Sequence, residues 1–469
     1  MSRNRGARVR VRWGRPAAVI AAAVLIAASC GDDDDDGGAG GDAADTTGAA
    51  ADTTAPGADT TAPAVDTTTP GAETTGPAGD TTTVTDYAAY VGGSGPADTS
   101  LDPIKVGYIS QEGGPVEVGP TNDDGVDIGV TFINEQAGGI GGHPIEVVKC
   151  YIASTEEEGQ QCGQQMANDE DIVAVLEGPV AVGAESMFAA LGDKPVIQGV
   201  SVNAVDTVRP NAAVLYGGAQ YILAPYATFA RDTLGVESAA LIYPEGAGTD
   251  IPAAGQASAF EAAGIPIKVV PYPANAPDLT VPLLAADAQN ADIVMPVINP
   301  NDCVKFEQAI QQLGIPDEKV LASPICLTPT TIEGLGDFPQ WIYAIASAQT
   351  FDVTDPGVPP YQMILTDQGQ EALIGDPWVN VGFGQALTLA KWLNGAGVDN
   401  LTPEAITDQM LAFEGPLALG SPVIQCGKYP EAPGVCNDHT QFYQWNGEGN
   451  PMTKAGDWVG PPEGWVAPN

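Results

Sequence analysis

The sequence is poor in positive charge. It contains 17 Lys and Arg against 60 Asp and Glu, which gives a formal net charge of -43. Six of the 17 cations are arginines before residue 16, so the rest of the chain is more acidic still. Nucleic-acid binding depends on cations that neutralise phosphates, so this composition excludes nucleic acid as a partner. The simplest interpretation is a solvated acidic surface that favours solubility.

Histidine and the common catalytic motifs are scarce as well. His143 and His439 are the two histidines, and no Cys-x-x-Cys pair occurs, so we expect no metal site. No Gly-x-Ser-x-Gly elbow occurs, and both histidines lie in turn-like sequence, which argues against a paired nucleophile and base. We therefore predict that the protein is not an enzyme and needs no cofactor.

The N-terminus has the layout of an export signal. Six arginines within residues 3–15 precede an apolar stretch that ends in small residues before Cys30. That stretch is too short, and too abruptly followed by acid, for a stable transmembrane anchor. Cys30 resembles the acylated cysteine of bacterial lipoproteins, although Ala27 stands where that motif usually has Leu. We predict a signal peptide over residues 1–29 and lipid attachment at Cys30; without acylation the protein would be released.

Large apolar side chains are rare from residue 31 to about residue 101. Asp, Thr, Ala, Gly and Pro dominate there, and such a composition buries too little apolar surface to offset the entropy of ordering. An acid-Thr-Thr unit recurs every seven residues between Asp45 and Asp80, without the apolar seam of a coiled coil. We predict a disordered stalk over residues 30–102 that lifts the folded part off the membrane.

Apart from Cys30, the cysteines form three pairs of near neighbours in sequence. An even set of this kind on an exported chain predicts three disulfides. The pairs are Cys150 with Cys162, Cys303 with Cys326, and Cys426 with Cys436.

From Ile104 onward, short apolar runs alternate with amphipathic segments. Residues 104–110 read as a strand, and Asn122–Gln136 follows with its apolar residues on one helical face. Repeated units of this kind imply parallel sheets covered on both faces by helices. A break near Tyr216 predicts two such lobes. Among the helices predicted further along are Glu156–Asn168, Ala184–Leu191, residues 221–233 and Cys303–Leu313.

Several segments of this part carry a resemblance to a known family. The most specific begins at Ile133 and reads INEQAGGIGGHPIEVV. Others follow in the same order as in the family, beginning at Ile172, Phe260, Asp278, Phe306, Phe413 and Gln441. Together they resemble the leucine/isoleucine/valine-binding type of periplasmic binding proteins, also called type I solute-binding proteins.

The resemblance implies an α/β fold of two lobes joined by three crossings. Lobe one would comprise residues 103–217 and 343–422, and lobe two residues 218–342 and 423–469. A small polar solute, such as an amino acid, an amide or a related compound, would bind between the lobes, and their closed form would dock on the permease subunits of an ABC importer. We expect a monomer on the outer face of the cell membrane, held there through its lipid alone. A ligand-sensing ectodomain for a signalling partner is the alternative, because the same fold serves receptors.

Ligands of open α/β sheets bind beyond the carboxyl ends of the strands. With the resemblance, this rule selects as ligand-binding candidates Gln111, Glu112, Val180, Ala181, Ser201, Asn203, Tyr243, Glu245, Asn299, Cys326 and Trp378. Several candidates also have a structural alternative: a solvated loop for Gln111 and Glu112, a helix cap for Ser201 or Asn203, and core packing for Trp378.

Two departures from the family bear on the ligand. Amino-acid binders commonly offer a hydroxyl where Val180 and Ala181 stand, and an acid in the stretch that begins here at Ser323 and contains none. The first departure weakens the case for an α-carboxylate, and the second argues against a branched-chain amino acid. Few cations are expected in the cleft, which favours a zwitterion, an amide or a neutral polar molecule over a strongly anionic solute.

The predicted disulfides have different expected roles. Cys303 and Cys326 both follow strands of lobe two and would pin neighbouring loops at the edge of the cleft. Cys426 and Cys436 would close a hairpin near the third crossing, which gives the hypothesis that this disulfide stiffens the hinge.

Overall fold

The computed structural model describes residues 83–114, 119–246, 249–447 and 452–468. These residues belong to one compact unit, residues 74–469. The predicted signal, Cys30 and the repeats of the predicted stalk lie outside the described residues. Within those described ranges, no helix has the length and apolar character that crossing a membrane requires.

The helices of the described residues follow one another along the whole unit. They are α1 (Tyr87–Val91), α2 (Asn122–Gln136), α3 (Glu156–Asn168), α4 (Ala184–Leu191), α5 (Ala219–Leu223), α6 (Pro225–Phe229), α7 (Asp250–Ala262), α8 (Thr280–Ala285), α9 (Cys303–Leu313), α10 (Pro329–Leu335), α11 (Val358–Asp367), α12 (Pro377–Ala396) and α13 (Pro403–Leu411). A π-helix covers Ala230–Leu234, and short 3-10 helices cover Ala204–Asp206, Pro300–Asp302, Asp317–Lys319, Pro324–Cys326, Glu371–Leu373 and Val398–Asn400.

The strands alternate with these helices, as the sequence predicts. They are β1 (Ile104–Gln111), β2 (Ile145–Ile152), β3 (Ile172–Glu177), β4 (Val196–Gln198), β5 (Ala212–Val214), β6 (Ala239–Glu245), β7 (Ile267–Pro273), β8 (Ile293–Pro296), β9 (Leu321–Ala322), β10 (Ile342–Ile345), β11 (Glu414–Gly415), β12 (Ile424–Gln425), β13 (Thr440–Gln444) and β14 (Thr453–Val459).

Lobe one is built on a parallel sheet in the order β2-β1-β3-β4-β5. Successive side chains of a strand point to opposite faces, so Leu176 packs in the core beneath α2 and α12, while Val175 packs in the core beneath α3 and α4. Helices α2 and α12 approach each other closely at Gly125. A Cβ added there would come within 2.2 Å of the Val379 carbonyl oxygen. Helices therefore cover both faces of this sheet.

Lobe two contains a second mainly parallel sheet. Strands β7-β6-β8 form one part and β14-β13-β10-β9 the other. A parallel bridge between Val294 and Val320 joins the two parts. Leu241 and Ile242 again point to opposite cores, one under α6 and α7 and the other under α8 and α9. The predicted two-lobed α/β architecture is confirmed.

Three chain segments connect the lobes. The first leaves lobe one after Tyr216, whose backbone N–H donates to the Gly199 carbonyl at 2.8 Å. The second follows β10 at Ser347, which bridges to Gly420. The third runs from Val435, bridged to Val214, to the start of β13.

The strand pairing moves two of the expected lobe boundaries. All of β10 pairs with β9 and β13 in lobe two, so the chain returns to lobe one after Ile345 instead of at residue 343. Ile424 lies in the core of lobe one, so the last excursion begins later than residue 423. The sequence pattern marks where a strand is but not which sheet it joins, which explains both differences.

The last part of the predicted stalk is ordered, and here the prediction of disorder up to residue 101 is wrong. Val84, Tyr87 and Val91 are at most 7% exposed. The Tyr87 ring meets those of Phe132 and Phe383 edge-on, and its hydroxyl donates to the Gly357 carbonyl at 2.7 Å. A few large apolar residues at the end of the low-complexity stretch are enough to dock it on lobe one.

The three predicted disulfides are present. They join Cys150 to Cys162, Cys303 to Cys326, and Cys426 to Cys436. The first links β2 to α3 in lobe one, and the second links α9 to the turn after β9 in lobe two. The third brackets the approach to the third crossing.

Candidate ligand-binding site

Gln111 ends β1 at the edge of lobe one where the strands have their carboxyl ends. Its side chain is 1% exposed, and its Oε1 accepts hydrogen bonds from the backbone N–H groups of Ala181 at 2.8 Å and Val182 at 3.1 Å. Gln111 thus holds the loop after β3 that contains two other candidates, Val180 and Ala181. Glu112 follows, and its backbone N–H donates to the Ile152 carbonyl at 3.0 Å.

Ser201 and Asn203 lie in the loop that follows β4, beside the loop after β3. The Ser201 hydroxyl donates to the Asn203 carbonyl at 3.0 Å, and the Asn203 amide donates to the Val180 carbonyl. Asn203 also forms the cap of the short helix Ala204–Asp206. The structural alternative for Asn203 is therefore present, and it joins the two loops.

Sequence reasoning missed the residue that fixes this loop, Asp206. Its carboxylate is 2% exposed and accepts hydrogen bonds from the backbone N–H groups of Val202 at 2.9 Å and Asn203 at 2.8 Å. Burial raises its pKa against the effect of those hydrogen bonds. The signal available in the sequence was the spacing of Asn203 and Asp206, which is that of a capping box.

A second buried carboxyl group, that of Glu177, lies near Asp206. Glu177 ends β3, is 2% exposed, and accepts a hydrogen bond from the Gln198 amide on β4. Burial, and then the charge of Asp206, raise its pKa well above the usual range. Burial and mutual repulsion of the two carboxyl groups therefore favour the protonated form of Glu177.

Trp378 is in the first turn of α12, where Asp376 caps the helix by accepting from the Trp378 N–H at 2.8 Å. The indole is half-buried and lies against Gly119 in the loop after β1: a Cβ on Gly119 would come within 2.7 Å of the ring and within 2.8 Å of Pro179, in the loop after β3. The positive φ of Gly119 also favours glycine there. Trp378 therefore lies beside the loop that follows β1, the strand that ends at Gln111.

Tyr243 and Glu245 end β6 in lobe two. Tyr243 is half-buried and packs against the core under α6 and α7, whereas Glu245 is exposed. The Thr249 hydroxyl, just before α7, donates to the Pro244 carbonyl at 2.6 Å.

Asn299 and Cys326 occupy neighbouring strand ends of lobe two. The disulfide between Cys303 and Cys326 joins the loops after β8 and β9, and the Asn299 carbonyl accepts from the backbone N–H of Asp302 at 2.9 Å. Asp302 is a buried acid that the sequence did not single out. Its carboxylate accepts hydrogen bonds from the Tyr272 hydroxyl at 3.1 Å and the Lys305 ammonium at 2.8 Å.

Ten of the eleven cations among the described residues contact carboxylates or backbone carbonyls, and the eleventh, Lys268 on β7, is exposed. Six form ion pairs with carboxylates: Lys105, Lys149, Arg231, Lys305, Lys428 and Lys454. Four contact backbone carbonyls: Lys194, Arg209, Lys319 and Lys391. None of the candidate residues is a cation, so hydrogen-bonding and apolar groups dominate the strand ends.

The structure brings together the lobe-one candidates that follow β1, β3 and β4, and it joins Asn299 to Cys326 through Cys303. It records no contact that links Tyr243 or Glu245 to the other candidates among the described residues. The arrangement contains strand-end loops on two α/β lobes and offers polar and apolar contacts without a nucleophile and base pair among the candidates.

The sequence profile described as "Periplasmic binding protein" matches residues 103–428, well over half of the chain. The chain belongs to the periplasmic binding protein family. This periplasmic binding protein therefore has the family and the fold that its sequence resemblance implies. Members of the family bind solutes for transporters and are not enzymes, in agreement with the prediction. Among curated proteins, none matches the chain.

Solved structures share the fold of this periplasmic binding protein at low identity. A leucine-binding protein from Thermotoga maritima is 16% identical with a TM-score of 0.58, over 76% of this chain and 99% of the other. A fatty acid ABC transporter substrate-binding protein from Thermomonospora curvata is 15% identical with a TM-score of 0.57, over 80% and 97%. A solute-binding protein from R. palustris in complex with 4-hydroxybenzoate is 16% identical with a TM-score of 0.58, over 78% and 99%.

Proposed function

We propose that this periplasmic binding protein binds a small solute between its two lobes and delivers it to the permease of an ABC importer. The observation that carries the proposal is the pairing of two α/β lobes through three chain segments. Ligands bind at the carboxyl ends of parallel strands, and a ligand that contacts both lobes favours their closed arrangement. The permease would recognise that closed form.

The contacts at the crossings support a hinge between the lobes. The Gln441 amide, on β13 of lobe two, donates to the Ser347 carbonyl at 3.0 Å beside the second crossing. Near the third crossing, the Cys436 N–H donates to the Val214 carbonyl of lobe one at 3.1 Å. Three chain segments join two lobes that each have their own cores, an architecture that permits hinge motion.

We also propose that the protein is exported and held at the cell membrane by a lipid. The arginine-rich segment, the apolar stretch and Cys30 support export followed by lipid attachment, which would hold the protein on the outer face of the cell membrane. Labelling the host with a fatty acid that carries an alkyne tests this directly. The wild type is expected to take up the label and Cys30→Ser is not; label on both, or on neither, would contradict lipid attachment at Cys30.

A thermal-shift screen tests solute binding. The purified protein is heated with amino acids, amides, ureas, polyamines, small carboxylates and aromatic compounds, because a ligand that binds only the native state raises the melting temperature. We expect one chemical class to raise it in proportion to the logarithm of ligand concentration. A folded protein whose melting temperature responds to none of these classes would contradict the proposed function.

A further inference from the structure

The polar groups at the strand ends of lobe one already have partners inside the protein. Gln111 accepts from the N–H groups of Ala181 and Val182, and Asp206 accepts from those of Val202 and Asn203. A carboxylate ligand that used these four N–H donors would have to displace side-chain acceptors that are 1% and 2% exposed. The loops after β3 and β4 are therefore poorly suited to an anionic head group.

Large apolar side chains, in contrast, are exposed at strand ends of both lobes. Val202 follows β4 and is 40% exposed. Ile251, the second residue of the helix after β6, is 54% exposed, and Ile325, in the turn after β9, is 38% exposed. Single exposed apolar residues are common on protein surfaces, but these three follow strands whose carboxyl ends form the ligand side of an α/β sheet. Closure around an apolar ligand would remove them from water.

The charged residues in these loops are acidic. Glu112 follows β1, Glu245 ends β6 and Asp250 begins α7, and the last two are exposed. Lys305, the first cation after β8, donates to the Asp302 carboxylate and to the Ala276 carbonyl at 3.1 Å. An anionic solute would thus meet like charge without a free cation among the strand-end residues described here.

We propose that the solute has an apolar body, aromatic or branched aliphatic, and a polar end that donates hydrogen bonds and carries no negative charge, as in an amine or a primary amide. This inference rests on the proposed function and names the substrate class for the same cleft. Apolar surface supplies the affinity, and the acidic strand-end loops select against carboxylates.

A matched series of three compounds tests the proposed ligand class. Phenylacetamide, phenethylamine and phenylacetate share one apolar body and differ in the head group, and each is titrated into the full-length protein by isothermal calorimetry. We expect the amide or the amine to bind at least about tenfold more tightly than the acid, because closure would bury an unpaired carboxylate. An acid that binds as tightly as both of the others, or a series in which nothing binds, would overturn the proposed class.

Two variants test whether an exposed apolar residue at a strand end contacts the ligand. Ile251→Ser is expected to weaken binding of the preferred compound about threefold or more, through loss of apolar burial. Leu234→Ser is the control, since Leu234 is 40% exposed but precedes β6 and lies toward the opposite edge of the sheet. Equal affinities for Ile251→Ser and the wild type would overturn the apolar contact.

The outcomes separate this inference from the proposed function. If leucine or a small carboxylate binds and competes for the same site, the solute-binding function stands and the proposed ligand class is wrong. If neither the series nor the broad thermal-shift panel gives any binding to a folded protein, both fail.

Discussion

At the scale of single residues, Glu307 is a buried carboxyl group in α9 whose environment favours the neutral form. It is 3% exposed and accepts a hydrogen bond from the indole N–H of Trp341 at 3.0 Å. Burial, and then the charge of Asp317, raise its pKa from an ordinary 4.5 to about 7. The native state therefore keeps a proton that the unfolded chain has already lost at pH 6.

This predicts that part of the stability of lobe two is lost as pH rises. With a raised native pKa, the contribution of Glu307 is fully present below about pH 4.5 and disappears between about pH 4.5 and pH 7, which amounts to about 3 kcal/mol for a shift of this size. Glu307→Gln keeps an acceptor for Trp341 and should flatten the decline. The check is the melting temperature of both proteins from pH 4 to pH 8; parallel curves would contradict the account.

Asp206 carries a second prediction at this scale, because it fixes the loop of Ser201 and Asn203. Asp206→Ala leaves two backbone N–H groups without their acceptor and should lower the free energy of unfolding by about 1–3 kcal/mol. The control is Asp193→Ala, at an exposed position in the same lobe. Denaturant titrations measure both, and equal effects would mean that Asp206 does not hold the loop.

The sequence did not predict which hydrogen bonds the candidate residues make. Gln111, Ser201 and Asn203 lie at the strand ends where the family pattern puts them, but their hydrogen bonds go to the protein itself. Asp206 was missed although its capping-box spacing with Asn203 was readable, and Asp302 was missed because only the fold brings Tyr272 to it. Whether the eleven predicted candidates contact ligand stays a prediction.

At the scale of elements, local signals predicted helix bounds well. Helices α3, α4 and α9 have the predicted bounds, and α3 begins with a capping box between Thr155 and Glu158. The predicted helix over residues 221–233 is divided into α5, α6 and a π-helix. Pro225 lacks the N–H that would continue the hydrogen-bond ladder, so α6 begins there. The sheet that β10 joins depends on strands that are distant in sequence, so the local pattern could not predict it.

Helix α1 carries a prediction because it packs on lobe one although it precedes the family match. Tyr87→Ala removes the ring contacts with Phe132 and Phe383 and should cost about 3–5 kcal/mol. Tyr87→Phe removes only the hydrogen bond to Gly357 and should cost about 1 kcal/mol. Denaturant midpoints rank the two variants, and an alanine variant as stable as the wild type would show that this helix contributes no stability.

Two of the disulfides can be compared, because one lies near the third crossing and the other within lobe one. Cys426–Cys436 and Cys150–Cys162 close loops of similar length, with sequence separations of 10 and 12. Serine replacement of either pair should therefore cost a similar amount, about 2–4 kcal/mol. If the disulfide near the third crossing stiffens the hinge, only its removal should change ligand affinity. Calorimetry on both variants checks this, and equal ligand affinities for the two variants would contradict the hinge hypothesis.

At the scale of the whole molecule, two lobes and three connections are what the strand-helix alternation and the family resemblance together predicted. The alternation specifies parallel sheets, because consecutive parallel strands need a helical crossover. It cannot specify the ligand, which depends on a few strand-end side chains and on how their hydrogen bonds are already used. Fold and family were therefore accessible from sequence, whereas the hydrogen bonds within the strand-end loops needed the structure.

The central claim is that a solute binds between the lobes and draws them together. Small-angle X-ray scattering of the protein, with and without the tightest binder of the phenylacetamide series at saturating concentration, tests it most directly. We expect the radius of gyration to fall on binding and to return after the ligand is dialysed away. Saturation shown by calorimetry together with an unchanged scattering curve would contradict closure of the two lobes around a ligand.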